Sequence, residues 1–179
     1  TEYIGMIQKE ADHMNQLLMS MLTYTRLSDS SYDLHMEKCS LQKMMELCCD
    51  HYKEQLEKKS IQVIWDVTEE ENAICDKKML SMVMDNFLSN AVRFCTSGGV
   101  IRLSVSKNYV SVYNDGIQIP DNRKKEIWTP MYLMDNSRTK TGTTSGMGLA
   151  ISAIILKAHQ AEYGVENVEG GVQFYFKLK

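Results

Sequence analysis

Apolar residues open the chain with alternating steps of three and four, at Ile4, Ile7, Ala11, Met14, Leu18 and Met21, and no Gly or Pro follows Gly5 to interrupt them. That spacing predicts a helix over residues 3–27 carrying a bundle seam. A lone amphipathic helix leaves its seam bare. The arm is therefore expected to pack on the rest of the chain, on a second copy, or on a segment missing from this sequence, which reads as truncated at its start. Residues 28–32, rich in Ser and Asp, form a polar break. They divide a helical arm over residues 1–28 from a globular domain over residues 33–179.

Past the break, His35 precedes a strand, and Ser40 is placed to cap a helix over residues 41–59 with Leu41, Met44, Met45, Leu47, Cys48 and Leu56 inward. Ile61, Val63, Trp65 and Val67 then alternate with polar positions, as in a strand with one buried face. The acidic loop Glu69, Glu70, Glu71 and a short strand over 73–75 lead to Asp76, a second capping residue, which opens the helix carrying Asn86 and Asn90. Gly98 and Gly99 turn the chain into strands over 100–106 and 109–113, joined by Lys107 and Asn108 as in a hairpin. A short helix is expected over 121–128, a polar loop over 134–145 and an apolar helix over 147–159. A hairpin of 161–165 and 171–178 around Glu169, Gly170 and Gly171 closes the chain. Helices and antiparallel strands interleave without a regular strand-helix-strand repeat, so the expected fold is α+β, an open sheet with helices layered on one face.

Size and charge narrow the partners. At 179 residues the chain suits one core and an appendage. A net charge of -3 argues against nucleic acid, whose binding needs clustered excess Lys and Arg. The longest apolar run, residues 146–156, is well short of the roughly 20 residues of a membrane span, so this stretch is not expected to lie in a membrane. Five cysteines, Cys39, Cys48, Cys49, Cys75 and Cys95, are odd in number and lack metal-ligand spacing with His. They read as reduced apolar fillers of a cytoplasmic protein, and the thirteen methionines likewise as packing residues.

The candidate chemistry starts at Asn86 and Asn90, one turn apart and so on one helix face. A carboxamide oxygen can ligate hydrated magnesium while phosphate oxygens complete the octahedron, and Asn90 is the expected ligand. Arg93 projects from nearly the same face and can hold a phosphate. Downstream, Asn114 ends an apolar strand and offers a donor and an acceptor to a base edge, while Gly116 lets the backbone approach a planar ligand. Ser145, Gly146, Met147, Gly148 and Leu149 run into a helix whose first-turn amides form a phosphate site. Residues 136–144, with Thr139, Thr141, Gly142, Thr143 and Thr144, are expected to form a lid over the phosphates. Each segment alone is a weak signal. Their order is the strong one.

Together these residues resemble the catalytic ATP-binding domain of sensor histidine kinases, related more distantly to the ATPase domains of DNA gyrase and mismatch-repair proteins. Residues 79–94 look like the family's N box, 114–120 like its G1 box, 128–132 like its F box and 145–151 like its G2 box. The resemblance implies a Bergerat-type two-layer α/β sandwich with a mixed, mostly antiparallel sheet, preceded by a long helix that looks like the second helix of the dimerisation and phosphoacceptor hairpin. It implies ATP and Mg2+ as cofactors, and transfer of the γ-phosphoryl group to a histidine and then to a response regulator receiver domain. It also implies a homodimer through the hairpin, and a parent protein anchored in a bacterial cytoplasmic membrane with this part facing inward. Residue by residue, it places Asn90 on magnesium, Asn86 and Arg93 near the phosphates as the catalytic pair, and Phe94 and Tyr132 as walls of the base or ribose. Asn114 and Gly116 are placed at the adenine, Gly146, Met147, Gly148 and Leu149 along the phosphate chain, Ile119 and Ser145 among the nucleotide-binding residues, and Arg138 as a lid cation.

The chain departs from the family pattern in three ways. Asn114 stands where most members have Asp, which exchanges a charge-assisted bond for a neutral one and implies adenine binding about tenfold weaker. Gln118 replaces the second G1 glycine, and Thr144 stands where G2 often begins with glycine. No His followed by Glu or Asp and a Pro bend is present, so the phosphoacceptor is expected upstream of Thr1. His13, His35, His51 and His159 read as structural or solvated. Two other readings of the same fold stay open: a degenerate interaction module with an empty pocket, and an anti-sigma-type serine kinase.

Overall fold

The computed structural model describes residues 2–29, 33–68, 72–132 and 146–179. Helix α1 (Glu2–Ser28) is followed by β1 (Glu37–Ser40), α2 (Leu41–His51), α3 (Lys53–Lys58), β2 (Gln62–Val67), β3 (Asn72–Cys75) and α4 (Lys77–Phe94). The hairpin β4 (Val100–Ser106) and β5 (Tyr109–Asp115), two short 3-10 turns, α5 (Gly148–Ala158), β6 (Glu162–Val168) and β7 (Gly171–Lys177) complete the order. Five strands form one sheet in the order β2-β4-β5-β7-β6, and β1 pairs with β3 apart from it. Among the described residues β2 and β4 run parallel, and the other pairings in the sheet are antiparallel.

Alternation along the strands sorts the sheet into two faces. Ile101, Leu103, Val105, Val110, Val112, Val172, Phe174 and Phe176 are buried on one side in a single cluster with Leu80, Val83, Phe87 and Leu88 of α4 and Ile155 and Leu156 of α5. Phe87 is its centre, tilted against Phe174 at 5.5 Å and against Phe176 at 6.4 Å. The other face is covered by polar aromatics. Tyr109 stacks on Tyr175, and the Arg102 guanidinium lies 5.2 Å from the Tyr113 ring.

Helix α1 packs against α5 at its C-terminal end, where Leu27 enters the core. Its seam residues Ile7, Met14, Leu18 and Met21 stay exposed. The arm thus docks by one end and keeps its stripe uncovered within this chain.

Several expectations change in three dimensions. The helix expected over 41–59 divides at Tyr52, whose backbone leaves the helical range at φ -103 and ψ 2 and whose hydroxyl donates to Asp85 Oδ1 at 3.1 Å. Leu47 is 58% exposed, because Leu41, Met44, Met45 and Cys48 already complete the i, i+3, i+4, i+7 face. Trp65, at 38% exposure, and Val67 point to the helix side but border an open groove of about 290 Å³ between β2 and α2, since β2 is an edge strand. Residues 121–128 form two 3-10 turns in place of a helix. The acidic residues Glu69, Glu70 and Glu71, the polar loop expected over 134–145 and the lid expected within it lie outside the described residues.

The five cysteines are free thiols. Burial pushes the Cys48 thiol up to about 11, with Asp85 adding to the effect, and the Cys75 thiol up to about 12, with Cys39 and Asp76 adding. Thiolate is the nucleophile, so a thiol titrating near 11 is only about one part in a thousand reactive at pH 8. Counting alkylated sites by mass spectrometry at pH 8 should find Cys48 and Cys75 unmodified in the folded chain and fully modified in denaturant.

Candidate functional site

Asp76 starts α4 with both carboxylate oxygens engaged: Oδ1 accepts from the Met79 amide at 3.0 Å and Oδ2 from the His35 amide at 2.9 Å. The Asp76 amide donates to His159 Nε2 at 3.0 Å, which leaves the ring proton on Nδ1, 2.8 Å from the Ile155 carbonyl. His159 therefore ties the start of α4 to the end of α5 with both ring nitrogens used.

Ten residues on from Asp76, Asn86 makes the same two helices meet again. Its Nδ2 donates to the Gly148 carbonyl at 2.9 Å and to Ser152 Oγ at 3.1 Å, and Ser152 Oγ itself donates to the Gly148 carbonyl at 3.0 Å. A Cβ at Gly148 would stand 3.0 Å from Asn86 Oδ1, so the glycine permits the contact. Asn90 and Arg93 continue this half-buried face. Among the described residues Asn90 makes no side-chain hydrogen bond. The Arg93 guanidinium lies 5.1 Å from the Phe94 ring, which is 47% exposed, and burial lowers its pKa. Asp85 faces the other way, toward Tyr52 and Cys48.

Asn114 extends the inward row of Val110 and Val112 to the end of β5 and is 1% exposed. Its Nδ2 donates to the Asp115 carbonyl at 3.0 Å, which orients Oδ1 as an acceptor with no partner among the described residues. Gly116 follows at φ +149, and a Cβ there would fall 2.7 Å from the Phe94 carbonyl oxygen. The end of β5 and the end of α4 thus touch through backbone. Asp115, on the outer face, accepts from the Val100 amide at 2.7 Å and from the Tyr113 hydroxyl at 2.7 Å. Burial, then this carboxylate, pushes the Tyr113 phenol up to about 12.

The loop after β5 is held by an amide pair. Asn167 Oδ1 accepts from the Ile119 amide at 2.9 Å and Asn167 Nδ2 donates to the Ile119 carbonyl at 2.7 Å, while Gln118 Nε2 donates to the Val168 carbonyl at 2.9 Å. Gln118 thus fastens the loop where the family pattern has glycine. Asn167→Ala should cost about 2 kcal/mol, from two backbone groups losing their partner, and denaturant melts would read it.

At the other rim Gly146 has φ +65, and its carbonyl accepts from the Met131 amide at 3.0 Å. A Cβ at Gly146 would meet the Met131 carbonyl carbon at 2.9 Å and the Tyr132 oxygen at 3.1 Å, so residues 129–132 and the entry to α5 are fastened together. Met147 is buried. It makes no side-chain cap, and Ile151 is the first residue to donate back into the helix, to the Met147 carbonyl at 2.9 Å. The amides of Gly148, Leu149 and Ala150 therefore lie at the positive end of α5, with no side-chain cap among the described residues.

Geometry thus brings Asn86 to Gly148, Phe94 to Gly116 and Tyr132 to Gly146. Ile119 is buried beneath the loop, facing Asn167. Arg138 and Ser145 lie outside the described residues. Ser152 and Asn167 escaped the sequence reading. Ser152 was visible as the lone hydroxyl in an apolar helix; Asn167 gave no local signal, since its partner lies 48 residues away.

Residues 75–179 match the family model described as histidine kinase-, DNA gyrase B-, and HSP90-like ATPase. The sensor histidine kinase WalK of Bacillus subtilis is 25% identical over 184 aligned residues, 98% of this chain and 30% of the relative. The adaptive-response sensory kinase SasA of Crocosphaera subtropica is 26% identical, over 92% of this chain and 44% of its own length. The chain thus spans less than half the length of these relatives. Among solved structures, full-length ShkA in complex with AMPPNP superposes with a TM-score of 0.84 at 22% identity, covering 99% of this chain and 38% of that one. The catalytic domain of histidine kinase ThkA gives 0.73 at 26% identity over 81% of this chain and 95% of its own. ThkA in complex with the response regulator protein TrrA gives 0.79 at 23% identity, over 99% and 50%.

Proposed function

Since the chain belongs to the histidine kinase-, DNA gyrase B- and HSP90-like ATPase family, we propose that it is the ATP-binding catalytic part of a sensor histidine kinase. On this reading residues 33–179 bind Mg-ATP, and residues 1–28 are one helix of a dimerising hairpin. The phosphoryl group passes to a histidine outside residues 1–179 and then to a response regulator receiver domain. The parent protein is anchored at a membrane with this part in the cytoplasm; among the described residues no helix is long and apolar enough to cross one.

The observation that carries the reading is the meeting of an Asn-bearing helix with the start of α5 at Gly148, where no side-chain cap is made among the described residues, together with the buried Asn114 amide at the end of β5, whose oxygen has no partner among the described residues. These groups fit a purine triphosphate. Asn114 Oδ1 would accept from the exocyclic amine, and the Gly148, Leu149 and Ala150 amides would hold phosphate oxygens. Asn90 would ligate magnesium, Arg93 would neutralise phosphate charge, and Phe94 and Tyr132 would wall the base or ribose. Arg138 and Ser145 would complete the phosphate contacts. Mg-ATP supplies the phosphoryl group, and the protein supplies orientation and charge stabilisation.

Asn86 cannot take a proton, and its Nδ2 is occupied by Gly148 and Ser152. Asp85, turned toward Tyr52, does not supply a base on that face. Both observations favour transfer to a protein acceptor over hydrolysis. His159, with both nitrogens hydrogen-bonded in the core, is no acceptor. Two experiments test the reading. Calorimetric titration with Mg-ADP should give saturable heat; none at millimolar nucleotide would leave a non-catalytic module of the same fold. Labelled ATP with a separately expressed histidine-bearing hairpin should give acid-labile label on histidine, whereas acid-stable label on serine would point to a serine kinase.

A further inference from the structure

The C-terminal turn of α4 carries Asn90, Arg93 and Phe94, so what fixes that turn fixes where these side chains stand. The last carbonyls of a helix have no partner within it. Here the Cys95 amide takes the Ala91 carbonyl at 2.8 Å. The next two are taken by one ammonium: Lys59 Nζ donates to the Val92 carbonyl at 2.6 Å and to the Arg93 carbonyl at 2.9 Å. Lys59 is half-buried just past α3, and its side chain reaches across 33 and 34 residues of sequence. A cation here also opposes the negative end of the helix dipole.

The backbone keeps that ammonium in place. The Lys59 carbonyl accepts from the Gly98 amide at 2.9 Å, and the Gln62 amide donates to the Gly99 carbonyl at 2.9 Å, so the turn after α3 is sewn to the turn after α4. The base end of the site is held by different means. Asn114 sits inside β5 between β4 and β7, the following loop is bracketed by Asn167, and the Phe94 carbonyl abuts Gly116.

We propose that Lys59 is a positioning residue for the phosphate half of the site: by capping the last turn of α4 it holds Asn90 and Arg93 in register for magnesium and phosphate. This rests on the nucleotide reading above. It weighs on the two halves of the ligand unequally, because the phosphate side rests on Asn90 and Arg93 of the capped turn, whereas on the purine side Phe94 has its carbonyl against Gly116 and the other contacts belong to β5 and its loop.

The test is calorimetry of the full chain, as wild type, Lys59→Met and Lys59→Arg, with ADP with and without magnesium and with adenosine, run below each variant's melting temperature. Lys59→Met should weaken Mg-ADP about tenfold and shrink the gain from magnesium, while adenosine changes less than about twofold. Lys59→Arg, which keeps the donors, should stay within about threefold of wild type for Mg-ADP. Unchanged Mg-ADP binding by Lys59→Met overturns the proposal, as does an equal loss of adenosine and Mg-ADP, which would make Lys59 merely structural. Should Lys59→Met not fold, the arginine variant decides alone: a loss of tenfold or more overturns the proposal. A wild-type chain that binds no nucleotide would sink the nucleotide reading, and this proposal with it.

Discussion

Asn86→Asp is expected to weaken Mg-ATP binding by at least about a hundredfold, roughly 3 kcal/mol, with little change in melting temperature. The substitution removes the donor that the Gly148 carbonyl accepts at 2.9 Å and sets a carboxylate against that oxygen. Ser152 can turn its hydroxyl to the new carboxylate, which also lies beside the first-turn amides of α5 and suits a positive helix end. Stability is thereby largely preserved. Affinity is not, because an anion now stands where the phosphates would, and like charges at close range repel. Asn86→Ala should cost only about tenfold, since Ser152 still donates to the Gly148 carbonyl at 3.0 Å. Calorimetric Kd values for the two variants check this. An aspartate variant that binds as tightly as wild type would remove Asn86 from the phosphate site.

Gly171→Ala should be the most destabilising single-methyl change in the sheet. In the β5–β7 register Gly171 faces Asp115, and a Cβ there would fall on the Asn114 carbonyl oxygen, with the Tyr113 ring 3.0 Å away. Neither backbone can retreat, because β5 is held on its other side by β4. A cost of about 3 kcal/mol is expected, lowering Tm by roughly 6–12 °C for a chain of this size, and nucleotide affinity should fall with it as Asn114 shifts. Gly164→Ala is the control. Its Cβ would meet the Tyr175 hydroxyl at 2.8 Å, the end of an outer-face side chain that can swing, so about 1 kcal/mol is expected. Equal melting temperatures for the two variants would contradict the argument.

Much of this molecule is legible along the chain because its signals are local. The helix of the arm, the caps Ser40 and Asp76, the β4–β5 hairpin and the apolar helix after Gly148 all follow from neighbours a few residues apart, and all appear in the structure. Two of the misreadings lie where residues distant in the chain meet. Tyr52, bonded to Asp85 across 33 residues, stands at a break in a helix that its own sequence would continue, and Trp65 is 38% exposed because β2 became an edge. Periodicity reports which residues share a face. It does not report what covers that face.

The site divides along the same line. The sequence alone determined that carboxamides and glycine loops occur in the order of a nucleotide-binding domain, since residue type and short spacing set which groups are available. Tertiary structure decided what each group does with its bonds. It spends Asn86 Nδ2 on Gly148, turns Asn114 Oδ1 into an acceptor, brackets Ile119 with Asn167 and caps α4 with Lys59. Asn114 bonds its own neighbour, but the pairings of Asn86, Ile119 and Lys59 join residues far apart in the chain, and a buried polar group takes whichever partner the packing of the sheet and helices brings within reach.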